Sequence, residues 1–313
     1  MDILLSGSIA FDYLMTFPGY FRDHFLPERL EHISLSFLVD SMTRLRGGVA
    51  PNIAYTLALL GERPRLFGTV GQDFGEYRQW LESRGVDTSA VRVIEGEYTA
   101  SFFANTDRDN AQIASFYPGA MAYAGDLSLH EVSRHPQLVV ISPNDPRAMS
   151  RHATECRALG IPYIYDPSQQ LPRLGEAELR EGVEGALALF VNDYEFALIQ
   201  KKTGLTPADI LRHSRFTVVT RGEDGSTIFT HDGEFSIPIV RPKRIADPTG
   251  VGDAFRGGFL SGYAHGWDWQ TCGQMGALAA SYCLEQPGPQ GHTFSRAEFV
   301  ARYRENFGEG IAS

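Results

Sequence analysis

The feature that most constrains the fold is a series of short apolar segments separated by helical patterns. The apolar segments predict strands at 2–9, 65–70, 137–141, 162–165, 188–191 and 216–220. Most of them are separated by helical patterns at 52–60, 77–84, 149–159 and 176–186. Apolar strands that alternate with helices indicate a parallel sheet covered on both faces, with ligands bound beyond the carboxyl ends of the strands. We therefore predict an α/β fold.

Some stretches depart from this series. The first strand is expected to run into a loop at 10–12. Residues 31–40 alternate apolar and polar side chains, while 98–106 and 111–117 predict a hairpin with a polar turn. Such half-exposed strands favour a small β lid, although a decorative β insertion is the alternative. The expected division is a lid of 12–46 and 95–120 on an α/β core of 1–11, 47–94 and 121–304.

Composition excludes several classes of protein. The 313 residues are 43% hydrophobic, which is sufficient for a sizeable core. A net charge of −10 argues against nucleic-acid and anionic-membrane partners. The sequence lacks both a long apolar run and a signal-peptide pattern, so we expect a cytoplasmic protein. Its three dispersed cysteines predict reduced, mostly buried thiols, and the histidines show no zinc-ligand spacing.

The strongest candidate for chemistry is the stretch 245–255, in which Gly250, Val251 and Gly252 directly precede Asp253 and a helical pattern at 254–263. A glycine-rich turn entering a helix leaves backbone N–H groups unpaired, and the helix dipole favours an anionic oxygen there. A carboxylate beside that anion is reasonable if it takes a proton from an attacking hydroxyl. The alternative is an ordinary helix N-terminus with a favourable acid.

Further candidates follow other predicted strands. Asp12 can accept two hydrogen bonds from a vicinal diol, or it is a solvated loop residue. The pair Gly47 and Gly48 enters a helix in which Pro51 suits a first helical position, and a plain helix cap is the alternative. One predicted strand is followed by Asn192 and Glu195, for which a helix-start acid is the ordinary interpretation. Another is followed by Thr220, Gly222 and Gly225, for which a hairpin turn is the ordinary interpretation.

The string Asp-Pro-Thr-Gly-Val-Gly-Asp-Ala-Phe at 247–255 resembles the C-terminal signature of the ribokinase-like (PfkB) kinases. The resemblance implies a three-layer α/β/α fold with a mostly parallel sheet and a β lid. It also implies transfer of the γ-phosphoryl of ATP to a hydroxymethyl group. Asp253 would be the base, and the amides of Gly250, Val251 and Gly252 would form the anion hole. Val251 stands where the family usually has Ala, and Pro248 follows Asp247 where the family usually has no Pro. Neither difference removes an N–H group that the anion hole needs.

The same resemblance assigns the other candidates. Asp12 and Asn52 would hold sugar hydroxyls, with Pro51 in place of a usual Gly. Asn192 and Glu195 would order Mg²⁺, partly through water, while Thr220, Gly222 and Gly225 would form the nucleotide loop. The helical stretch 276–284 is compatible with an adenine slot, although core packing explains it nearly as well. Members of the family often dimerise through the lid, and a K⁺ site near Asp247 is common among them.

A finer resemblance, to bacterial adenosine kinases of the actinobacterial type, is carried by 7–12, 35–40, 46–50, 111–121 and 166–171. It implies that Phe102 and Phe116 enclose a purine, although filling a lid core is the alternative. The remaining matches near the nucleoside are Ser8, Ser36, Gly48, Gln169, Gln170 and Arg173. The predicted reaction is phosphorylation of adenosine at its 5′-hydroxyl to give AMP.

Other functions stay open at this stage. A sugar kinase or another nucleoside kinase would share the fold. A catalytically silent nucleoside-binding protein is disfavoured, because it needs no base beside an anion hole. Positive charge for the phosphates could come from six residues that the sequence does not rank: Arg46, Arg173, Arg221, Lys243, Arg244 and Arg256.

Overall fold

The computed structural model describes residues 1–25, 31 and 34–311. Its larger sheet has nine strands. In spatial order they are β13 (Gly233–Ile237), β12 (Ser226–Thr230), β11 (Phe216–Thr220), β10 (Ala188–Asn192), β9 (Tyr163–Tyr165), β8 (Leu138–Ile141), β1 (Ile3–Ser6), β4 (Arg65–Val70) and β5 (Asp87–Val93). All neighbours pair in parallel except β11 with β12 and β12 with β13. The predicted α/β class with a mostly parallel sheet is confirmed.

Helices cover both faces of this sheet, because its central strands bury side chains on both sides. Ile3 and Leu5 of β1 lie in one apolar cluster, whereas Leu4 lies in another. The first cluster is completed by α1 (Val49–Leu59), α2 (Gly75–Ser83), α7 (Val251–Ala264), α8 (Trp269–Leu284) and α9 (Arg296–Phe307). The second is completed by α3 (Pro146–Leu159), α4 (Glu176–Val183), α5 (Asp193–Thr203) and α6 (Pro207–His213). The result is the expected three-layer arrangement.

A separate four-stranded sheet is formed by β3 (Ser41–Gly47), β2 (Ala10–Thr16), β6 (Ala100–Thr106) and β7 (Gln112–Tyr117), in that order. The predicted hairpin of β6 and β7 is confirmed. Two other predictions are wrong. Residues 10–12 begin a strand instead of a loop, and 34–40 lie outside strands, with residues 32 and 33 outside the described part. The edge strand β3 is mostly exposed, so it carries no apolar pattern that would predict it.

Smaller features complete the comparison with the sequence. Helix α1 begins at Val49, after Gly48 with φ of 92°, so Pro51 is its third residue and not its first. Cys156, Cys272 and Cys283 are free and buried, as expected. No helix in the described ranges is long and apolar enough to cross a membrane.

Candidate active site

The turn before α7 lies at the centre of the site. Gly250 precedes the helix with φ of 78°, and a Cβ there would collide with Pro289, so only glycine fits. Val251 donates a long hydrogen bond of 3.4 Å to the Pro248 carbonyl. Among the described residues, the amides of Gly250 and Gly252 have no acceptor. The N–H groups of Gly250 and Gly252 and the helix dipole therefore remain available to an anion, whereas the Val251 amide is partly engaged.

Asp253 lies in the first turn of α7 and is partly buried. Its Oδ2 accepts a hydrogen bond of 2.8 Å from Nδ2 of Asn52 on α1. Burial raises the pKa of the Asp253 carboxyl to about 7, although the Arg256 cation and the Asn52 hydrogen bond act in the opposite direction. A carboxylate with a pKa close to neutral pH is suited to accept a proton during a reaction.

Gln290 fixes the orientation of Asn52. The indole N–H of Trp80 can only donate, and it donates to Gln290 Oε1 at 3.2 Å. Gln290 Nε2 then donates to Asn52 Oδ1 at 2.9 Å and to the Tyr77 hydroxyl at 2.5 Å. The Asn52 amide N–H₂ is thereby turned toward Asp253. Sequence reasoning missed Gln290, which lies in the loop after α8 and carries no recognisable pattern.

Arg256 connects the same turn to the end of β9. It is buried, and its Nε lies 2.5 Å from Oδ2 of Asp166, the residue that follows β9. Its Nη2 donates to Asp166 Oδ1 at 2.9 Å, and its Nη1 donates to the Gly252 carbonyl at 3.0 Å. Because the guanidinium is paired in this way, we regard it as a support for α7 and not as a free phosphate ligand.

The other five candidate cations are dispersed. Arg46 pairs with Glu76, Arg221 bonds the Thr227 hydroxyl, and Arg244 bonds the Glu285 carbonyl. Arg173 and Lys243 are exposed. The geometry of the described residues therefore ranks none of these five as the main phosphate ligand.

The nucleoside candidates Asp12, Phe102 and Phe116 form one row across the smaller sheet. Asp12 is the register partner of Phe102, and Phe102 is the partner of Phe116, so the three side chains share a face. The Asp12 carboxylate lies against Gly47, where a Cβ would be only 2.6 Å from Oδ2. Phe116 is 49% exposed, which leaves its ring accessible to a flat ligand.

The electrostatics of Asp12 resemble those of Asp253. Burial, followed by the nearby negative charge of Asp247, raises the pKa of Asp12 to about 6. Asp247 itself accepts hydrogen bonds from the amides of Thr249 and Gly288. It therefore holds the turn before α7 against the loop that contains Gln290.

Two further nucleoside candidates lie close to Asn52. Ser8 Oγ accepts a hydrogen bond of 3.3 Å from the amide of Val49, the first residue of α1. A Cβ at Gly48 would be 2.5 Å from the Ser8 carbonyl oxygen, so glycine permits this close approach. Both residues thus fit the edge of a pocket beside the start of α1.

The last four nucleoside candidates differ in burial and in their distance along the chain from the rest of the site. Gln170 is buried, and its Oε1 has no hydrogen-bond partner within the described chain. This oxygen is therefore able to accept a hydrogen bond from a ligand. Gln169 and Arg173 are exposed beside it. Ser36 is exposed in a segment outside the strands, and no described contact brings it to the site.

The nucleotide candidates lie at two adjacent strand ends. Asn192 and Thr220 are register partners at the ends of β10 and β11. Gly222 and Gly225 lie in the turn between β11 and β12, and a Cβ at Gly225 would collide with the Ile237 carbonyl. The hairpin interpretation of this stretch is thereby confirmed, while its contact with a nucleotide stays a prediction.

Asn192 and Glu195 cap α5 reciprocally. Asn192 Oδ1 accepts from the Glu195 amide at 2.7 Å, and Glu195 Oε2 accepts from the Asn192 amide at 2.8 Å. Burial raises the pKa of Glu195. The described residues contain no group of three or more potential metal-binding side chains. Glu195 Oε1 stays outside the capping pair, and one such donor fits Mg²⁺, which is held largely by water and substrate phosphates.

Comparisons with known proteins now assign the family. A model of the pfkB family of carbohydrate kinases matches residues 23–294. The chain belongs to the PfkB family. This PfkB kinase is 33% identical over 311 residues to a nucleoside kinase of Methanothermobacter thermautotrophicus, with 98% of this chain and 97% of the relative covered.

Solved structures of Burkholderia thailandensis nucleoside kinase are similar to this PfkB kinase. The inosine complex matches with a TM-score of 0.89 and 40% identity, covering 98% of each chain. The ADP-inosine complex matches with a TM-score of 0.86 and 42% identity, covering 99% of this chain and 98% of the other. The PfkB kinase is thus an ATP-dependent phosphotransferase with an alcohol acceptor. The finer resemblance to actinobacterial-type adenosine kinases stays a prediction, because these relatives are named for nucleosides in general.

Proposed function

We propose that this PfkB kinase transfers the γ-phosphoryl of ATP to the 5′-hydroxyl of a nucleoside, with adenosine as the predicted substrate and AMP as the product. The observation that supports the proposal most strongly is the environment of Asp253. Its carboxyl has a pKa near 7 and accepts from Asn52 beside unpaired amides at the start of α7. A base beside an anion-accepting turn suits deprotonation of an alcohol that attacks a phosphoryl group.

In the proposed complex, Asp12 and Asn52 hold the ribose hydroxyls, and the rings of Phe102 and Phe116 hold the base. Stacking a base on an aromatic ring contributes on the order of 1–3 kcal/mol and tolerates different bases. A free sugar has no flat base to stack between two aromatic rings, so this arrangement favours a nucleoside over a free sugar. Ser8, Gly48 and Gln170 complete the proposed nucleoside pocket.

Asp253 then accepts the 5′-hydroxyl proton as that oxygen attacks the γ-phosphorus in line. The bond from the γ-phosphorus to the bridging oxygen breaks, and ADP leaves. The N–H groups of Gly250 and Gly252 stabilise negative charge on the transferred phosphoryl, with a weaker contribution from Val251. Glu195 and Asn192 are the residues proposed to hold Mg²⁺, partly through water, and the ion would supply positive charge to the ATP phosphates. We also propose a K⁺ site near Asp247.

Inosine is the second candidate substrate. The similarity to a kinase solved with inosine favours it, and stacking alone does not discriminate between the two purines. A panel of adenosine, inosine, guanosine, cytidine and ribose, assayed by ADP release, tests the proposal. We expect the highest kcat/KM with adenosine. Preference for inosine would correct the substrate, and preference for ribose would overturn the nucleoside assignment.

We also propose that the kinase forms a homodimer through the lid. On the face opposite Asp12, Met42 is 63%, Phe103 38% and Ile113 41% exposed. Such an apolar face is typical of an interaction surface. Light scattering of the purified protein should give twice the chain mass of 34.7 kDa, and a Phe103→Ser variant should give the monomer mass.

A further inference from the structure

A cavity of about 410 Å³ opens beside the proposed active site, at the free edge of β3. Its walls include Arg44 and Arg46 of β3, Tyr55 of α1, Trp80 and Arg84 at the end of α2, and Gln290. Asp12, Asn52 and Asp253 are not among its lining residues. The volume lies in the range of small-molecule sites, and the lining is distinct from the proposed catalytic groups.

The cavity wall carries concentrated positive charge. Arg46 pairs with Glu76 at 3.0 Å, but Arg44 and Arg84 have no carboxylate within 4.0 Å among the described residues. This contrasts with the net charge of −10 of the whole chain. Guanidinium groups around one cavity repel each other, so a bound anion would stabilise the arrangement.

Aromatic rings hold the three guanidinium groups in place. The central carbon of Arg46 lies 4.7 Å, and that of Arg84 lies 4.2 Å, from the ring centroid of Trp80. The corresponding carbon of Arg44 lies 3.8 Å from the ring centroid of Phe11. These contacts reduce the side-chain freedom that would be lost on binding, and arginine forks match the oxygens of a phosphate group.

We propose that this cavity is a second ligand site, separate from the catalytic one, that takes a phosphate monoester. The phosphate dianion balances the two guanidinium groups that lack a carboxylate. The volume exceeds what a phosphate group alone requires, and Tyr55 and Trp80 provide apolar surface for the organic part. Gln290 borders the cavity and also holds Asn52, so the bound molecule lies next to the group that orients Asp253.

Calorimetric titration with ribose 5-phosphate tests the proposal. The catalytic site is first saturated with ADP and the best nucleoside from the panel, so that only a separate site can respond. We expect one equivalent to bind to the native protein. In the Arg44→Gln/Arg84→Gln variant we expect binding about tenfold weaker or worse, because two charge-assisted contacts are lost. Equal affinity in that variant, or no binding once the catalytic site is filled, would overturn the proposal.

A control variant, two single variants and two control ligands accompany the titration. Arg63→Gln removes the same charge from an exposed residue just before β4 that does not line the cavity, and should bind as the native protein does. The single variants Arg44→Gln and Arg84→Gln, each weaker by several-fold, replace the double variant if it fails to fold. Inorganic phosphate should bind more weakly than the monoester, and the unphosphorylated sugar should not bind at the cavity. Phosphate binding as tightly as ribose 5-phosphate would overturn the monoester assignment.

Discussion

Helices α5 and α7 both begin at the carboxyl edge of the large sheet, and both carry an acid as their third residue. In α5 that acid is Glu195, which turns back and accepts from the amide of its own cap residue, Asn192, at 2.8 Å. In α7 it is Asp253, which turns away and accepts from Asn52 of another helix, also at 2.8 Å. The same position therefore serves two different purposes.

The difference lies in the residue that precedes each helix. Asn192 has a side chain that bonds the third amide of α5, so the helix start is closed by reciprocal bonds. Gly250 has no side chain, and the turn it forms leaves amides without acceptors. The comparison teaches that α7 lacks the local capping bonds of α5 and leaves a carboxylate and N–H groups accessible, as expected for the proposed functional site.

The largest expected effect comes from removing the proposed base at α7. Asp253→Asn keeps the shape and can still accept from Asn52, but it cannot take a proton. We expect turnover to fall by about 10²–10⁴-fold while nucleoside binding stays within a few-fold. Single-turnover kinetics and calorimetry measure the two quantities. Asp193→Asn, in the first turn of α5, is the matched control. Near-normal turnover in Asp253→Asn would contradict the assignment of Asp253 as the base.

The same substitution should stabilise the fold. The Asp253 pKa is about 7 in the folded state against 3.8 for an ordinary Asp, so above pH 4 the unfolded chain loses this proton more readily. Stability of the native protein therefore decreases from pH 4 to pH 7 through this group, and the Asn variant avoids that loss. Urea unfolding should show a gain of roughly 1–3 kcal/mol at pH 7.5 and less at pH 5. A gain that shrinks as pH rises would contradict the shifted pKa.

At α5 the two roles of Glu195 can be separated. Glu195→Gln preserves the capping geometry but removes the charge, whereas Glu195→Ala removes both. We expect Ala to lower the free energy of unfolding by about 1 kcal/mol and Gln to change it by less than half of that. If the acid also holds Mg²⁺, Gln should raise the half-maximal Mg²⁺ concentration about tenfold. Equal stability of both variants would show that the capping bonds are unimportant.

The smallest effect is expected at Gln290. Gln290→Leu removes the donor that orients Asn52, so the hydrogen bond that lowers the Asp253 pKa is weakened. We expect kcat to fall by about two- to tenfold and the acidic limb of the pH profile to move to higher pH. A loss of kcat with an unmoved limb would indicate a structural role only.

The parts that sequence reasoning predicted are those with a local signal. Strands such as β1 and β8 are buried on both faces, so their apolar runs are unambiguous. The Gly250–Asp253 motif is contiguous, and its placement at a helix start follows from its own residues. The helix-start interpretation of Asn192 and Glu195, which was the alternative to a Mg²⁺ site, is also confirmed.

The parts that it missed depend on tertiary contacts. Strand β3 is a mostly exposed edge strand with little hydrophobic signal. Strand β2 is largely apolar, but it follows β1 so closely that the sequence does not show it as a separate strand. Gln290 lies 238 positions from Asn52, and only the fold brings the two amides together. The arginine-lined cavity likewise joins β3 to α2 and the loop after α8, which no single stretch of sequence reveals.

The pH dependence of kcat/KM for the best nucleoside, at saturating ATP and Mg²⁺, tests the assignment of Asp253 most directly, because it reports the ionisation of the enzyme to which the nucleoside has not yet bound. Burial of Asp253 predicts that kcat/KM falls tenfold per pH unit below about pH 7, and more steeply below about pH 6 as Asp12 also gains a proton. A profile that stays flat down to about pH 5 would contradict the account, since an ordinary exposed carboxylate would then be sufficient.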